Sequence, residues 1–155
     1  DRPKDGADIK EGKYVIQSVL SGLYLEVADG KAANGTNVQM GSADSVENHN
    51  TWLLKSVGGG YYQLYSCISD GQYMLDLDYG RTANGTNIQI YGNTYPDAQL
   101  FKFVPAGSGQ YTITTKVTND KSALDIYNHN TSVGANVCQW ECTGNPNQCW
   151  KLIET

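Results

Sequence analysis

Gly35-Thr36-Asn37-Val38-Gln39, Gly85-Thr86-Asn87-Ile88-Gln89 and Gly134-Ala135-Asn136-Val137-Cys138 are one segment written three times, at steps of 50 and then 49 residues. Leu25, Leu75 and Leu124 keep those same steps. Trp52, Phe101 and Trp150 recur at 49 and 49, and Tyr14, Tyr62 and Tyr111 at 48 and 49. Four ladders running in parallel are not a chance pattern; they define a structural repeat of about 49 residues. The copies fall at about 9–56, 57–105 and 106–155, within one domain over 1–155.

Working outward from that segment, each copy offers about four short strand candidates separated by Asn-Gly, Gly-Gly or Asn-Pro turn signals, such as Tyr73 to Leu77 and Asn87 to Tyr91 in the middle copy. The composition agrees: 17 Gly, 11 Tyr and 39% apolar residues suit short strands and many turns, and no apolar run keeps helical spacing for more than a turn or two. The chain reads as all-β. Three units of four strands suffice to close an edge-free barrel with pseudo-threefold symmetry, which predicts a β-trefoil. Leu25, Val27, Val38 and Met40, with their counterparts Leu75, Leu77, Ile88 and Ile90, alternate with polar neighbours and are predicted to face the interior. Trp52, Phe101 and Trp150 hold one closing position in every copy and read as core. Asn37, Asn87 and Asn136 recur without regard to their surroundings and read as turn or strand-entry hydrogen bonders.

A net charge of −5 argues against nucleic acid and against anionic membrane surfaces, since an acidic surface repels phosphates and does not release their counterions. No apolar run reaches the roughly 20 residues that span a bilayer. Cys67, Cys138, Cys142 and Cys149 are few for the length. Cys142 and Cys149 flank a turn-rich segment and are candidates for one bridge in an oxidising compartment. A zinc site drawn from Cys138, Cys142, Cys149 and His129 lacks paired CxxC spacing, so no metal and no cofactor is expected. His49 and His129 have no nucleophile partner at a suggestive spacing and read as ordinary exposed residues.

The last copy contains Leu124-Asp125-Ile126, then Gly134, then Val137-Cys138-Gln139-Trp140 and Asn147-Gln148-Cys149-Trp150. This resembles the ricin B-type lectin repeat and the family 13 carbohydrate-binding modules, whose signature is the Gln-x-Trp ending; through the threefold repetition the resemblance covers nearly the whole chain. It implies a non-catalytic, secreted, extracellular lectin-like module with one shallow sugar site per working repeat. In such a site an Asp accepts hydrogen bonds from sugar hydroxyls and an aromatic ring stacks on the sugar's apolar face. Carried over, the third repeat offers Asp125 as acceptor, Trp140 as platform, Asn147 as amide partner and Gln148 as support, with Cys138 standing where Gln is usual. The middle repeat offers Asp76, Gln89 and Tyr91, with Ala98 in place of the amide residue and Asp97 beside it as a substitute. In the first repeat Gln39 survives, but Glu26 replaces Asp, Gly41 replaces the ring and His49 replaces Asn, which predicts a weak or silent site.

The expected partner is a polysaccharide or glycan containing galactose, with xylose-based xylan or arabinan next, held by several weak sites on one polymer. Fusion to a glycoside hydrolase, as its targeting module, is a further expectation of the resemblance. Two rivals remain. A glycosidase needs two carboxylates across one cleft, whereas Asp76 and Asp125 lie in separate repeats. A trefoil protease inhibitor binds through irregular loops and has no need of an acid and a ring at matching offsets.

Overall fold

The computed structural model describes residues 6–42, 48–68, 70–94 and 96–155. Among them are twelve antiparallel strands, four to a repeat. The first repeat holds β1 (Gly12–Ser18), β2 (Tyr24–Val27), β3 (Val38–Gly41) and β4 (Thr51–Gly58); the second β5 (Tyr61–Ser66), β6 (Tyr73–Leu77), β7 (Ile88–Gly92) and β8 (Phe101–Pro105); the third β9 (Gln110–Thr115), β10 (Ser122–Ile126), β11 (Val137–Glu141) and β12 (Trp150–Glu154). The strand expected over Tyr73 to Leu77 is β6. The one expected from Asn87 starts a residue later, because Asn87 bridges to Cys138 of the third repeat instead of continuing the β6 ladder.

β1 pairs with β12 and β4, β4 with β5, β5 with β8, β8 with β9, and β9 with β12. These six strands form a ring with no free edge, the closure that a β-trefoil requires. The remaining six make three hairpins, β2–β3, β6–β7 and β10–β11. Leu25, Val27, Val38, Met40, Leu75, Leu77, Ile88 and Ile90 are all completely buried, and so are Trp52, Phe101 and Trp150. Both indoles also spend their N–H inside: Trp52 Nε1 donates to the Leu25 carbonyl at 3.0 Å and Trp150 Nε1 to that of Leu124 at 3.3 Å. The closing aromatics therefore belong to the core, and they tie β4 and β12 to the hairpins above.

The recurring segment, Gly-Thr-Asn in the first two copies and Gly-Ala-Asn in the third, is the seam between repeats. The amide of Gly35 donates to Ile90 O at 2.8 Å, that of Gly85 to Gln139 O at 2.7 Å and that of Gly134 to Met40 O at 2.7 Å. Return bonds run from Ile90 N to Thr36 O, Gln139 N to Thr86 O and Met40 N to Ala135 O. Each repeat thus docks on the next and the third docks on the first. Gly35, Gly85 and Gly134 take φ values of 86°, 88° and 90°, a left-handed backbone that side chains disfavour and that turns each segment into its neighbour.

The three asparagines do something other than the turn or strand-entry bonding expected of them. Asn37 Nδ2 donates to Asn136 Oδ1 at 2.8 Å, Asn136 Nδ2 to Asn87 Oδ1 at 2.9 Å, and Asn87 Nδ2 to Asn37 Oδ1 at 2.7 Å. One amide from each repeat closes a ring of three bonds around the pseudo-threefold axis. Asn87→Ala removes one donor and one acceptor from this ring, and the unfolding free energy is expected to fall by about 1–3 kcal/mol at the net worth of such bonds. Urea unfolding measures it; a loss below about 0.3 kcal/mol would show that the ring contributes nothing to closure.

Candidate functional site

Register sets the site. In the middle hairpin Asp76 lies opposite Gln89 and Met74 opposite Tyr91, so the acid and the ring stand two rungs apart on one face, with Leu75, Ile90, Leu77 and Ile88 on the other. The third hairpin repeats this: Asp125 opposes Cys138 and Ala123 opposes Trp140. The chain reverses after the acid in a single 3₁₀ turn, Asp78–Gly80 or Tyr127–His129, which forms the lip of each cavity.

Asp76 is buried, and both of its oxygens are held by amide donors: Gln89 Nε2 at 3.0 Å on Oδ1 and Gln99 Nε2 at 2.9 Å on Oδ2. Gln99 also bonds the Gly92 carbonyl at 2.9 Å, clamping the acid to the end of β7. Burial raises the Asp76 carboxyl above the ordinary aspartate range; the two glutamine bonds oppose that shift and nearby Asp78 adds to it. A cavity of about 650 Å³ opens over the carboxylate, lined by Tyr91, Tyr79, Pro96, Asp97 and Ala98 and closed from the neighbouring repeats by Gly35 and Val117. Asp97, the expected substitute for the missing amide, sits on this lining with its carboxylate paired to Lys116 Nζ at 3.2 Å, while Ala98 is buried.

In the third repeat Asp125 is buried in the same way, and Gln148 Nε2 donates to Oδ2 at 2.9 Å and to the Glu141 carbonyl at 3.0 Å. The departure at Cys138 has a visible result: where Gln89 presents an amide, the Cys138 thiol faces Asp125 Oδ1 at 4.0 Å. Burial and the adjoining carboxylate push that thiol up to about 12, so it stays protonated and Oδ1 keeps only a weak S–H donor. Burial likewise raises Asp125, against the hydrogen bond from Gln148, the charge of His129 and a hydrogen bond from Asn147. Asn147 Nδ2 donates to the Ile126 carbonyl at 3.1 Å, which leaves its buried Oδ1 without a partner among the described residues, beside the cavity it lines. Trp140 is half-buried and faces that cavity with Asp125, Tyr127, Asn128, His129 and Asn145.

The first repeat brings Glu26 and Gln39 together, with Gln39 Nε2 donating to Oε2 at 3.0 Å, but the longer acid folds back across β3. A Cβ at residue 41 would run into the Glu26 carboxylate, and one at residue 30 into the His49 imidazole. Glu26 therefore occupies the place from which a ring at position 41 would rise, and His49 packs against the lip in place of the exposed position expected for it.

Three residues of these cavities escaped the sequence reading. Tyr79 is 84% exposed and holds φ at 54°, a left-handed conformation that Asp29 and Asn128 take at the equivalent turns of the other repeats. Asp and Asn tolerate that region; for a tyrosine it costs about 1–3 kcal/mol, and the ring so held stands over the middle cavity with Arg81 stacked 4.7 Å from its centroid. Tyr127 is 50% exposed and lies 6.4 Å from Trp140, ring centre to ring centre. His129, read as an ordinary exposed residue, lines the third cavity. For the two tyrosines the available signal was an aromatic two or three places after the acid.

Elsewhere the chemistry is spare. Among the described residues no three His, Cys, Asp or Glu side chains gather as a metal site would need. The bridge expected between Cys142 and Cys149 is not formed: Cys142 Sγ faces the Asp120 carbonyl at 3.9 Å and Cys149 Sγ that of Asn145 at 3.5 Å, with the Pro146–Gln148 turn between them.

Comparison with curated protein sequences finds no match. Among solved structures, the designed threefold-symmetric protein ThreeFoil is 31% identical, with 93% of this chain and 99% of that chain covered and a TM-score of 0.87. An exo-β-1,3-galactanase from Clostridium thermocellum is 26% identical at a TM-score of 0.86; 93% of this chain is covered but only 30% of the enzyme. The Rhizoctonia solani agglutinin shares the fold at 23% identity, with 96% and 99% covered and a TM-score of 0.81. The family model described as ricin-type β-trefoil lectin domain-like matches residues 6–91 and 97–155, and the chain belongs to that family.

Proposed function

We propose that this chain is a non-catalytic saccharide-binding module that works through two sites, at Asp76 and at Asp125, and takes a galactose-containing polysaccharide as ligand. The observation that carries the reading is a carboxylate buried without a Lys or Arg ion pair among the described residues, with a half-exposed ring two rungs away on the same face, found in two repeats. Burying a charge among neutral amides lowers stability, and groups held in this state concentrate where a ligand is to be met. Each carboxylate oxygen keeps lone-pair capacity beyond the one bond it accepts, from a glutamine amide or, at Asp125 Oδ1, from the Cys138 thiol, which suits neighbouring sugar hydroxyls at roughly 1.5–3 kcal/mol per charge-assisted bond. The rings add apolar contact for the C–H face, about 1 kcal/mol by analogy with aromatic pairs.

Galactan is favoured as the ligand by the likeness to the galactanase, and the 30% share of that enzyme matched here favours a targeting role beside a hydrolase acting outside the cell. The two acids sit in separate repeats, each within its own cavity, which suits binding; Asp97, which shares the middle cavity with Asp76, is paired to Lys116.

On immobilised galactan, Asp76→Asn or Asp125→Asn alone is expected to lower apparent affinity about ten- to hundred-fold through lost avidity, and the pair to abolish retention. Glu26→Gln should leave retention unchanged. Undiminished binding by the folded double variant on galactan, xylan and arabinan would overturn the reading.

Acid gives a second test. The raised carboxyls at Asp76 and Asp125 protonate above the ordinary aspartate midpoint of about 3.9, so retention should fall as pH drops with a midpoint above that value. These two groups act on stability with the opposite sign. A folded-state value above the unfolded one means the native chain binds more protons in that window, so their contribution to stability increases as pH falls through it. Binding lost in parallel with native near-ultraviolet dichroism would instead trace the acid effect to unfolding.

A further inference from the structure

Val117 lines two cavities at once. It closes the middle cavity from the side of the third repeat, and it also lines a second depression of about 470 Å³ formed by Thr82, Asn84, Asn119, Lys121 and Glu141. By contrast, the third repeat's cavity, about 240 Å³, is lined by residues of that repeat alone. From these placements we propose that the Asp76 site is one end of a groove crossing from the second repeat to the third, and that it binds an oligosaccharide segment with a further sugar unit seated between Thr82, Asn119 and Lys121. The inference rests on the saccharide-binding reading and names the size of ligand at one of its two sites.

The walls of the second depression are fixed before any ligand arrives. Gln139, completely buried, donates from Nε2 to the carbonyls of Arg81 at 2.9 Å and Ala83 at 3.3 Å, holding the Arg81–Ala83 segment from below. Asn84 Oδ1 accepts from Glu141 N at 2.9 Å. On the opposite wall Thr118 Oγ1 accepts from Ser122 N at 3.0 Å, while Asn119 and Asp120 hold consecutive left-handed conformations at φ of 54° and 65°. That double left-handed turn presents the Asn119 side chain to solvent beside Lys121. Lys121 and Glu141 form no ion pair among the described residues, so a charged donor, a charged acceptor, a hydroxyl and an amide all face the depression with capacity to spare. Val117 between the two cavities offers an apolar ridge for the C–H surface of the connecting unit. This inventory fits the next hydroxyl-rich unit of a chain whose terminal or internal sugar is held at Asp76, with Tyr79 and Tyr91 over the first position.

The test uses the whole chain carrying Asp125→Asn and Trp140→Ala, so that only the middle site reports. Calorimetric titration compares galactose with β-galacto-oligosaccharides of two, three and four units, and xylose with the matching xylo-oligosaccharides. Affinity is expected to rise at least ten-fold between one unit and three in one of the two series. Adding Lys121→Ala and Thr82→Val should remove that rise and leave monosaccharide affinity as it was. Amide resonances of Thr82 and Asn119 should shift with the trisaccharide and stay in place with the monosaccharide. Equal affinity for one unit and three in both series would overturn the groove while leaving the single-sugar site intact. Failure of every saccharide to bind would overturn both.

Discussion

The bonds from each Gly-Thr-Asn or Gly-Ala-Asn segment to the strand of the following repeat are what the rest of the molecule depends on. A four-strand repeat leaves apolar faces and open edges, and neither is tolerable in water. Passing the segment forward three times, with the last copy returning to the first, disposes of both at once, and the asparagine ring marks the point where the cycle meets itself. The glycine conformation sets the direction of the hand-over, so the topology is written into one backbone angle repeated three times. Because the seam lies between repeats, each hairpin is gripped by its neighbour, and the seam glycine Gly35 of the first repeat reaches the middle cavity, which Val117 of the third closes from the other side.

A fixed hairpin register then turns the repeat into chemistry. With residues opposite one another on one face, an acid on the first strand and a ring on the second are delivered to the same side wherever the sequence supplies them. The glutamine of the Gln-x-Trp ending serves two ends. Its amide holds the carboxylate, and its neighbour two places on drives an indole or phenyl ring into the core, so the motif anchors site and barrel together. At Cys138 one of the two glutamine bonds of the middle site has been exchanged for a weak thiol donor.

Much of this was legible before any coordinates. The ladders of Leu, Trp or Phe, and Tyr carry the repeat, the alternation of Leu75 with Asp76 and Ile90 with Gln89 carries the inside and outside of the hairpin, and the constant offset from acid to ring carries the site. What escaped has a common physical cause. Asn37, Asn87 and Asn136 bond to partners some 50 residues or more away around an axis that no local pattern displays. Tyr79 is a functional suspect only once its backbone is seen in a region that tyrosine avoids. Val117 acquires its place because the turn after β9 folds over a cavity of the preceding repeat. Cys142 and Cys149 looked paired because spacing records proximity along the chain and says nothing of where two sulfurs point.

The interlock of Glu26 with Gly41 in the first repeat has a consequence for how such a protein can change. A ring at position 41 has no room while the glutamate lies across β3, and a shorter acid at position 26 gains no platform while glycine remains opposite. Neither replacement alone sets an acid and a ring on one face, so the two positions are coupled, and the first repeat differs from the other two by a pair of residues rather than by either one.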